Sequence, residues 1–240
     1  MIVDSFKRGI AAGIVAGLAY GSFLALVGNP LVEYLEHAGH GHGHEHGPAA
    51  VSELTAAVVS VGSGVLWGVL LGAAFGVAYY LFEPSLPGAG TTKAYVLAGA
   101  GFLTVSGAPW LALPPVAPGT EQALATDVRL VVYGVMMAFG ATICVLSVGL
   151  YRYVRDEHDT SVAAGIAAVP FALCAIPIVL GPTTVSGGSG GLAIAFRWLV
   201  VLGQVALWTI IAAVYGGLDR RADGTTPSLD DLDDELTAGA

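Results

Sequence analysis

Charge-free runs of membrane length constrain this chain more than any other feature. No Asp, Glu, Lys or Arg lies between Arg8 and Glu33, Glu53 and Glu83, Lys93 and Glu121, Arg129 and Arg152, Asp159 and Arg197, or Arg197 and Asp219. A helix needs about 20 apolar residues to cross the hydrocarbon core of a bilayer. Soluble domains carry about a quarter charged residues, whereas this chain has 11% charged and 55% hydrophobic residues. Too few polar side chains remain to cover a water-facing surface. The expected fold is all-α, a polytopic transmembrane helix bundle. Its transmembrane domain, residues 1–218, should hold six spans at about 9–27, 54–82, 94–113, 128–150, 162–180 and 192–218.

Loop charges set the expected orientation, because cytoplasmic loops concentrate Lys and Arg. Lys7 and Arg8 precede the first span, Lys93 follows the second, Arg152 and Arg155 follow the fourth, and Arg220 and Arg221 follow the sixth. The segments 28–53, 114–127 and 181–191 contain neither residue type. An odd number of spans would break this alternation. A multi-pass protein of the cell membrane with both termini cytoplasmic is therefore expected. The basic start could also open a signal peptide, but no clean cleavage pattern follows, and Gly28-Asn29-Pro30 reads as a turn. Tyr79, Tyr80, Tyr151 and Tyr153 near the inner boundary and Trp110 near the outer one fit the aromatic belts of membrane interfaces.

Glycines recur every fourth residue in the first span (Gly9, Gly13, Gly17, Gly21) and the second (Gly64, Gly68, Gly72, Gly76). That spacing keeps them near one helix face and lets another backbone approach. Either these two spans touch each other, or the faces meet a partner such as a second copy of the chain. A cation path near these faces is a further expectation.

Five of the six histidines fall in one stretch, His37, His40, His42, His44 and His46, with Glu33, Glu36 and Glu45 among them. Neutral imidazole binds divalent transition metals, and carboxylates add charge attraction. Alternating histidines cannot share one helix face, since a helix turns about 100° per residue. In an extended chain they stand about 7 Å apart, and Gly39, Gly41, Gly43 and Gly47 allow the bend that brings two onto one ion. The outer loop 28–53 thus reads as an adaptable metal collector, or alternatively as a pH-responsive linker. Imidazole suits cobalt, nickel, zinc and copper alike, so the loop does not choose its metal.

A second constellation runs Pro109-Trp110-Leu111-Ala112-Leu113-Pro114-Pro115-Val116-Ala117-Pro118-Gly119, followed by Glu121, Asp127, Arg129 and Tyr133. Clustered prolines fix a stiff, non-helical connection at the outer end of span three. Arg129 near the apolar zone needs a partner or the interface, with Asp127 or Glu121 as candidates. Arg197 faces the same choice. This stretch, together with the glycine-rich first span and the histidine-bearing loop before a second glycine-rich span, resembles the CbtA family of probable cobalt transporter subunits over residues 1–217. The resemblance implies import of cobalt for cobalamin synthesis alongside a small one-span companion subunit. It also implies five spans, whereas the charge pattern here requires an even number.

Other candidates are weaker. Met136, Met137 and Cys144 could form a soft stepping site in span four, although methionine in an apolar helix is usually packing. His158, with Asp156, Glu157 and Asp159, could receive a metal on the inner side. Cys144 and Cys174 lie in apolar runs and make no disulfide framework. Residues 219–240 read as an acidic, disordered cytoplasmic tail. A single lysine and a net charge of −9 suit a salt-rich, halophilic cytoplasm and leave no basic surface for nucleic acid. Phosphate-loop, HExxH and GxSxG motifs are missing, so no enzyme is expected. The expected function is import of a divalent transition metal, cobalt first, with nickel or zinc as possible cargo. The alternative is a non-conducting metal-binding accessory or sensor.

Overall fold

The computed structural model describes residues 2–39, 52–116, 124–180 and 191–223. Among them there is no strand, and six helical rods are long and apolar enough to span a membrane: Ile2–Tyr34, Glu53–Ser85, Thr91–Ala112, Thr126–Arg155, Thr160–Val179 and Ile194–Ala222. The all-α, six-span expectation holds. Five of the rods are helices α1 (Ile2–Phe23), α3 (Glu53–Phe82), α4 (Thr91–Phe102), α6 (Thr126–Arg155) and α9 (Gly191–Asp223) with their extensions. The fifth span joins α7 (Thr160–Ala167) and α8 (Ala175–Leu180) through a 3-10 segment, Val169–Cys174, that contains Pro170.

The glycine faces meet each other. A Cβ added at Gly13 would lie 2.2 Å from the Gly68 carbonyl oxygen, and one added at Gly68 would lie 2.4 Å from that of Gly13. Gly9 opposes Gly72 and Gly76 in the same way, and Gly21 opposes Val61 and Gly64. Spans one and two therefore form an antiparallel hairpin whose backbones touch along its length. Of the two alternatives, the mutual contact of spans one and two is the one realised, and it leaves no gap for a cation between the two faces.

Two proline breaks follow one pattern. Phe23-Leu24-x-x-x-Gly28-Asn29-Pro30 and Phe102-Leu103-x-x-x-Gly107-Ala108-Pro109 repeat F-L-x-x-x-G-x-P near the ends of spans one and three. In both, a π-helical turn (Leu24–Gly28 and Leu103–Gly107) widens the helix, and the N–H of Asn29 or Ala108 bonds five residues back to Leu24 or Leu103. Proline has no N–H and its ring collides with the carbonyl four residues earlier; the inserted residue relieves that collision and the rod continues. Helix α2 (Asn29–Gly39) and the short α5 (Ala108–Ala112) follow. Gly28-Asn29-Pro30 is thus a bulge inside a helix and not the expected turn. The first part of the region taken for an open loop, including Glu33, Glu36 and His37, stands on α2.

The last span lies between two hairpins. Helix α9 packs against α1 on one side and α4 on the other, while α6 packs on the α4–α5 rod and on α7. Leu207, Ile211, Ala212 and Tyr215 of α9 are fully buried in a core shared with Ala12, Ala16, Phe75, Ala94 and Ala98. Gly101 makes room for the Trp208 ring, whose edge would lie 2.3 Å from an added Cβ. Arg8 pairs with Asp219, so both described ends of the chain meet at one end of the bundle. Helix α9 runs through Asp223, which places Asp219 in the bundle and not in the expected tail.

Backbone-to-backbone contact leaves no room for a methyl group. Gly68→Ala should therefore cost about 1–3 kcal/mol, the overpacking range, read as a lowered melting temperature in detergent. Gly62→Ala, where nothing lies within 4 Å of the added Cβ, should melt as the wild type does.

Candidate functional site

The histidine collector divides into two parts. His40, His42, His44, Glu45 and His46 lie outside the described residues, and so does Glu121. Glu33 is exposed on α2, and the helix backbone carries Glu36 and His37. Among the described residues no group of three or more His, Cys, Asp or Glu could hold a metal. The inner-side cluster fails for that reason: Asp156, Glu157, His158 and Asp159 are exposed and do not converge.

The second break, in span three, is the better-formed intramembrane feature. Pro109 deprives the Val105 carbonyl of its usual donor four residues on. In hydrocarbon a freed carbonyl must find a partner from a neighbouring helix, and the Tyr133 hydroxyl donates to it at 2.6 Å. Span four repeats this service at the fifth span, where the Ser147 hydroxyl donates to the Ala167 carbonyl at 2.7 Å as α7 gives way to its proline-containing turn. Between these two points Gly140 lets α6 lie directly on the bulge; an added Cβ would be 2.8 Å from that of Ala108 and 3.1 Å from the Leu103 carbonyl oxygen.

Tyr133, Met136, Gly140 and Cys144 therefore share the face of α6 that meets the break. Met136 is buried against Ala108 and Ala112. Cys144 Sγ lies 4.0 Å from Thr104 Oγ1 and 3.7 Å from the Ala100 carbonyl oxygen. Ser106, in the π turn itself, is 5% exposed. Eight residues of helix separate Met136 from Cys144 by about 12 Å, so they are successive positions and not one coordination sphere. The donors on offer are thioether, thiol, hydroxyl and carbonyl. Such a set suits a borderline divalent ion, and without a carboxylate it would hold that ion loosely.

The remaining sequence candidates are placed as follows. Pro114 and Pro115 are partly buried in the non-helical stretch after α5, as expected of a stiff connector. Arg129 is partly buried in the first turn of α6 and forms no ion pair with Asp127 among the described residues. Met137 is partly buried beside Met136 in sequence. Reading the sequence missed Thr104 and Ser106, and also Tyr20, Gln204, Trp208, Tyr215 and the Arg8–Asp219 pair. The F-L-x-x-x-G-x-P repeat is the signal that could have located the first two, because Gly/Pro-interrupted spans in corresponding positions mark transporter sites.

The CbtA family, described as a probable cobalt transporter subunit, matches residues 5–220 of the 240. The chain belongs to the CbtA family. The match takes in both hairpins, both proline breaks and the last span, so the intramembrane features belong to the CbtA region of the chain. No curated protein and no solved structure matches the chain.

If Tyr133 serves the carbonyl that Pro109 frees, the two residues are energetically coupled. Tyr133→Phe should destabilise the protein by about 1–3 kcal/mol, the cost of an unsatisfied buried group. In a Pro109→Ala background, which restores the missing N–H, the same change should cost less. A double-mutant cycle on melting temperature measures the difference, and additive effects would refute the coupling.

Proposed function

We propose that the chain imports a divalent transition metal, cobalt destined for cobalamin synthesis, and that the histidine segment collects the ion outside the cell membrane. Membership of a family described as a cobalt transporter subunit supports the cargo. The observation that carries an intramembrane route is the broken third span, where Thr104, Ser106, Met136 and Cys144 gather around a proline-induced bulge. On this reading the ion passes Met136 and then Thr104 and Cys144, and the sealed glycine hairpin serves as a rigid wall. A conducting path needs binding that is favourable enough to enter and weak enough to leave. Exchangeable imidazoles outside and uncharged donors inside meet both demands.

A second reading is favoured by the word subunit in the family description. The chain would then bind metal and gate a partner, such as a small one-span companion, without conducting. Purified chain in liposomes separates the two: cobalt entry with this chain alone excludes the accessory role, and flux restored only by a second subunit supports it.

Uptake in cells lacking their own importers tests cargo and collector together. Cobalt uptake should resist an equal concentration of zinc or nickel, and preference for either would displace cobalt as the cargo. Replacing His40, His42, His44 and His46 with Ala should reduce uptake several-fold at low metal concentration and little at saturation. The loss on acidification should centre near the ordinary histidine pKa of about 6.5. Only neutral imidazole binds metal, so wild-type uptake falls as pH drops through that value, and the four-Ala variant should lose that dependence.

A further inference from the structure

Spans one and three carry the same break, yet only one of the two is enclosed. The repeat is longer than the proline motif: Leu18-Ala19-x-x-x-Phe23-Leu24-x-x-x-Gly28-x-Pro30 matches Leu97-Ala98-x-x-x-Phe102-Leu103-x-x-x-Gly107-x-Pro109. Both segments widen into a π turn at the same place. In span three Pro109 is fully buried, Ser106 is buried, and Val105, whose carbonyl the proline frees, is partly buried. The equivalent residues of span one are Pro30, Val27 and Leu26. All three are exposed, Leu26 to 77%.

The helix alongside makes the difference. Gly140 lets α6 settle on the span-three bulge, and Tyr133, seven residues before it, donates to the Val105 carbonyl. In span one the neighbouring α3 performs no such service. Its Ser60 donates to the Asn29 side chain at 3.0 Å, and no side chain among the described residues donates to the Leu26 carbonyl that Pro30 frees. Leu26 lies seven residues, about 10 Å of helix, inside Glu33. At that depth a freed carbonyl depends on a neighbouring helix.

One turn further in, Ser22 is exposed on the same face, four residues before Leu26. A helical Ser or Thr hydroxyl can turn back to a carbonyl of its own helix, and Ser63, Thr142 and Thr209 do so. Ser22 makes no hydrogen bond among the described residues. Span one thus presents a free donor and a free acceptor one turn apart on an exposed face, where exposed Ala19 leaves the backbone approachable.

We propose that this face, Ala19, Ser22, Leu26 and Pro30, is the docking site of a transmembrane helix of a partner protein that carries a hydroxyl and a small residue, as α6 does. The partner hydroxyl donates to the Leu26 carbonyl, and the small residue brings a partner carbonyl within reach of Ser22. An acyl chain has no hydroxyl to give. A second copy is a poor fit, because Ser63, Thr142 and Thr209 on its exposed faces are already bonded to their own helix. The family description names a subunit, which supplies the separate polypeptide. The proposal rests on the chain being one subunit of an assembly and holds whether or not the chain conducts.

The test uses the full-length chain in vesicles, labelled with an energy donor, and a synthetic single-span Leu-Ala helix labelled with an acceptor. The peptide carries one Tyr at the depth of Leu26 and one Gly seven residues inward; a control peptide has Phe in place of the Tyr. The Tyr peptide should half-saturate the chain at a mole fraction in lipid about threefold to tenfold lower than the control, the range of one interhelical hydrogen bond in a membrane. P30A restores the missing N–H and should bind the two peptides equally. S22A should bind both several-fold more weakly and keep the preference for Tyr. Equal binding by the wild type, or a preference for Tyr that survives P30A, overturns the proposal. So does the absence of saturable binding, which leaves lipid as the cover. Energy transfer between differently labelled copies of the chain that disappears in P30A also overturns it, by making a second copy the occupant. None of these readouts involves metal, so failure here leaves the import reading intact.

Discussion

In hydrocarbon no water is present to take up a free backbone carbonyl, and this one constraint organises the bundle. Prolines 30, 109, 170 and 177 all lie within helical rods. Each one removes a donor that a soluble protein could replace with solvent. Here the replacements come from π-helical and 3-10 adjustments in the broken rod and from hydroxyl groups on its neighbour. Span four illustrates the dependence. Tyr133 serves span three and Ser147 serves span five, so α6 splints two helices that could not persist alone in lipid.

The opposite solution operates in the first hairpin. Lipid gives no hydrophobic drive for two apolar helices to associate, so attraction must come from close packing. Glycine at every fourth position removes the side chains that would keep the backbones apart. The result is a contact too tight for a methyl group and therefore too tight for an ion. Glycine spacing that suggests a channel on paper thus marks an interface in which backbone meets backbone. The same residue type at Gly101 and Gly140 has a different use, admitting one indole ring and one bulge.

Span number, and with it the meeting of the first and last described segments at one end of the bundle, was legible because it follows from composition and charge, which act locally and additively. The pairing of spans one and two was legible as one of two options, since periodic glycine states that a close approach occurs without naming the partner. The breaks were harder to see. Gly28-Asn29-Pro30 has the composition of a turn, and only the surrounding apolar sequence, which must stay helical in lipid, converts it to a bulge. Tyr133 carried no readable signal of its own, because its role is defined by a carbonyl 28 residues earlier. Gln204 and Asp219 were passed over for a similar reason: their meaning lies in Tyr20 and Arg8, nearly the whole chain away.

Fixed charge inside the membrane is unevenly distributed among the helix faces. The faces around the span-three break carry sulfur, hydroxyl and carbonyl groups, and the fixed charge on that face of α6 is Arg129 at the start of the helix, four residues before Tyr133. The face of α9 carries fixed charges at both ends, positive at one and paired at the other. A dication moving along it would face Arg197 on entry, and at the other end the Arg8–Asp219 pair would have to separate before it could leave. The Arg8–Asp219 pair ties the first span to the last. Helix α9 packs on both α1 and α4, so that pair adds to a buried contact already made by Ala12, Ala16, Leu207 and Ile211. The last span thereby holds the glycine hairpin against the third span through one continuous buried core, in which Ala12, Phe75, Ala98 and Leu207 all take part.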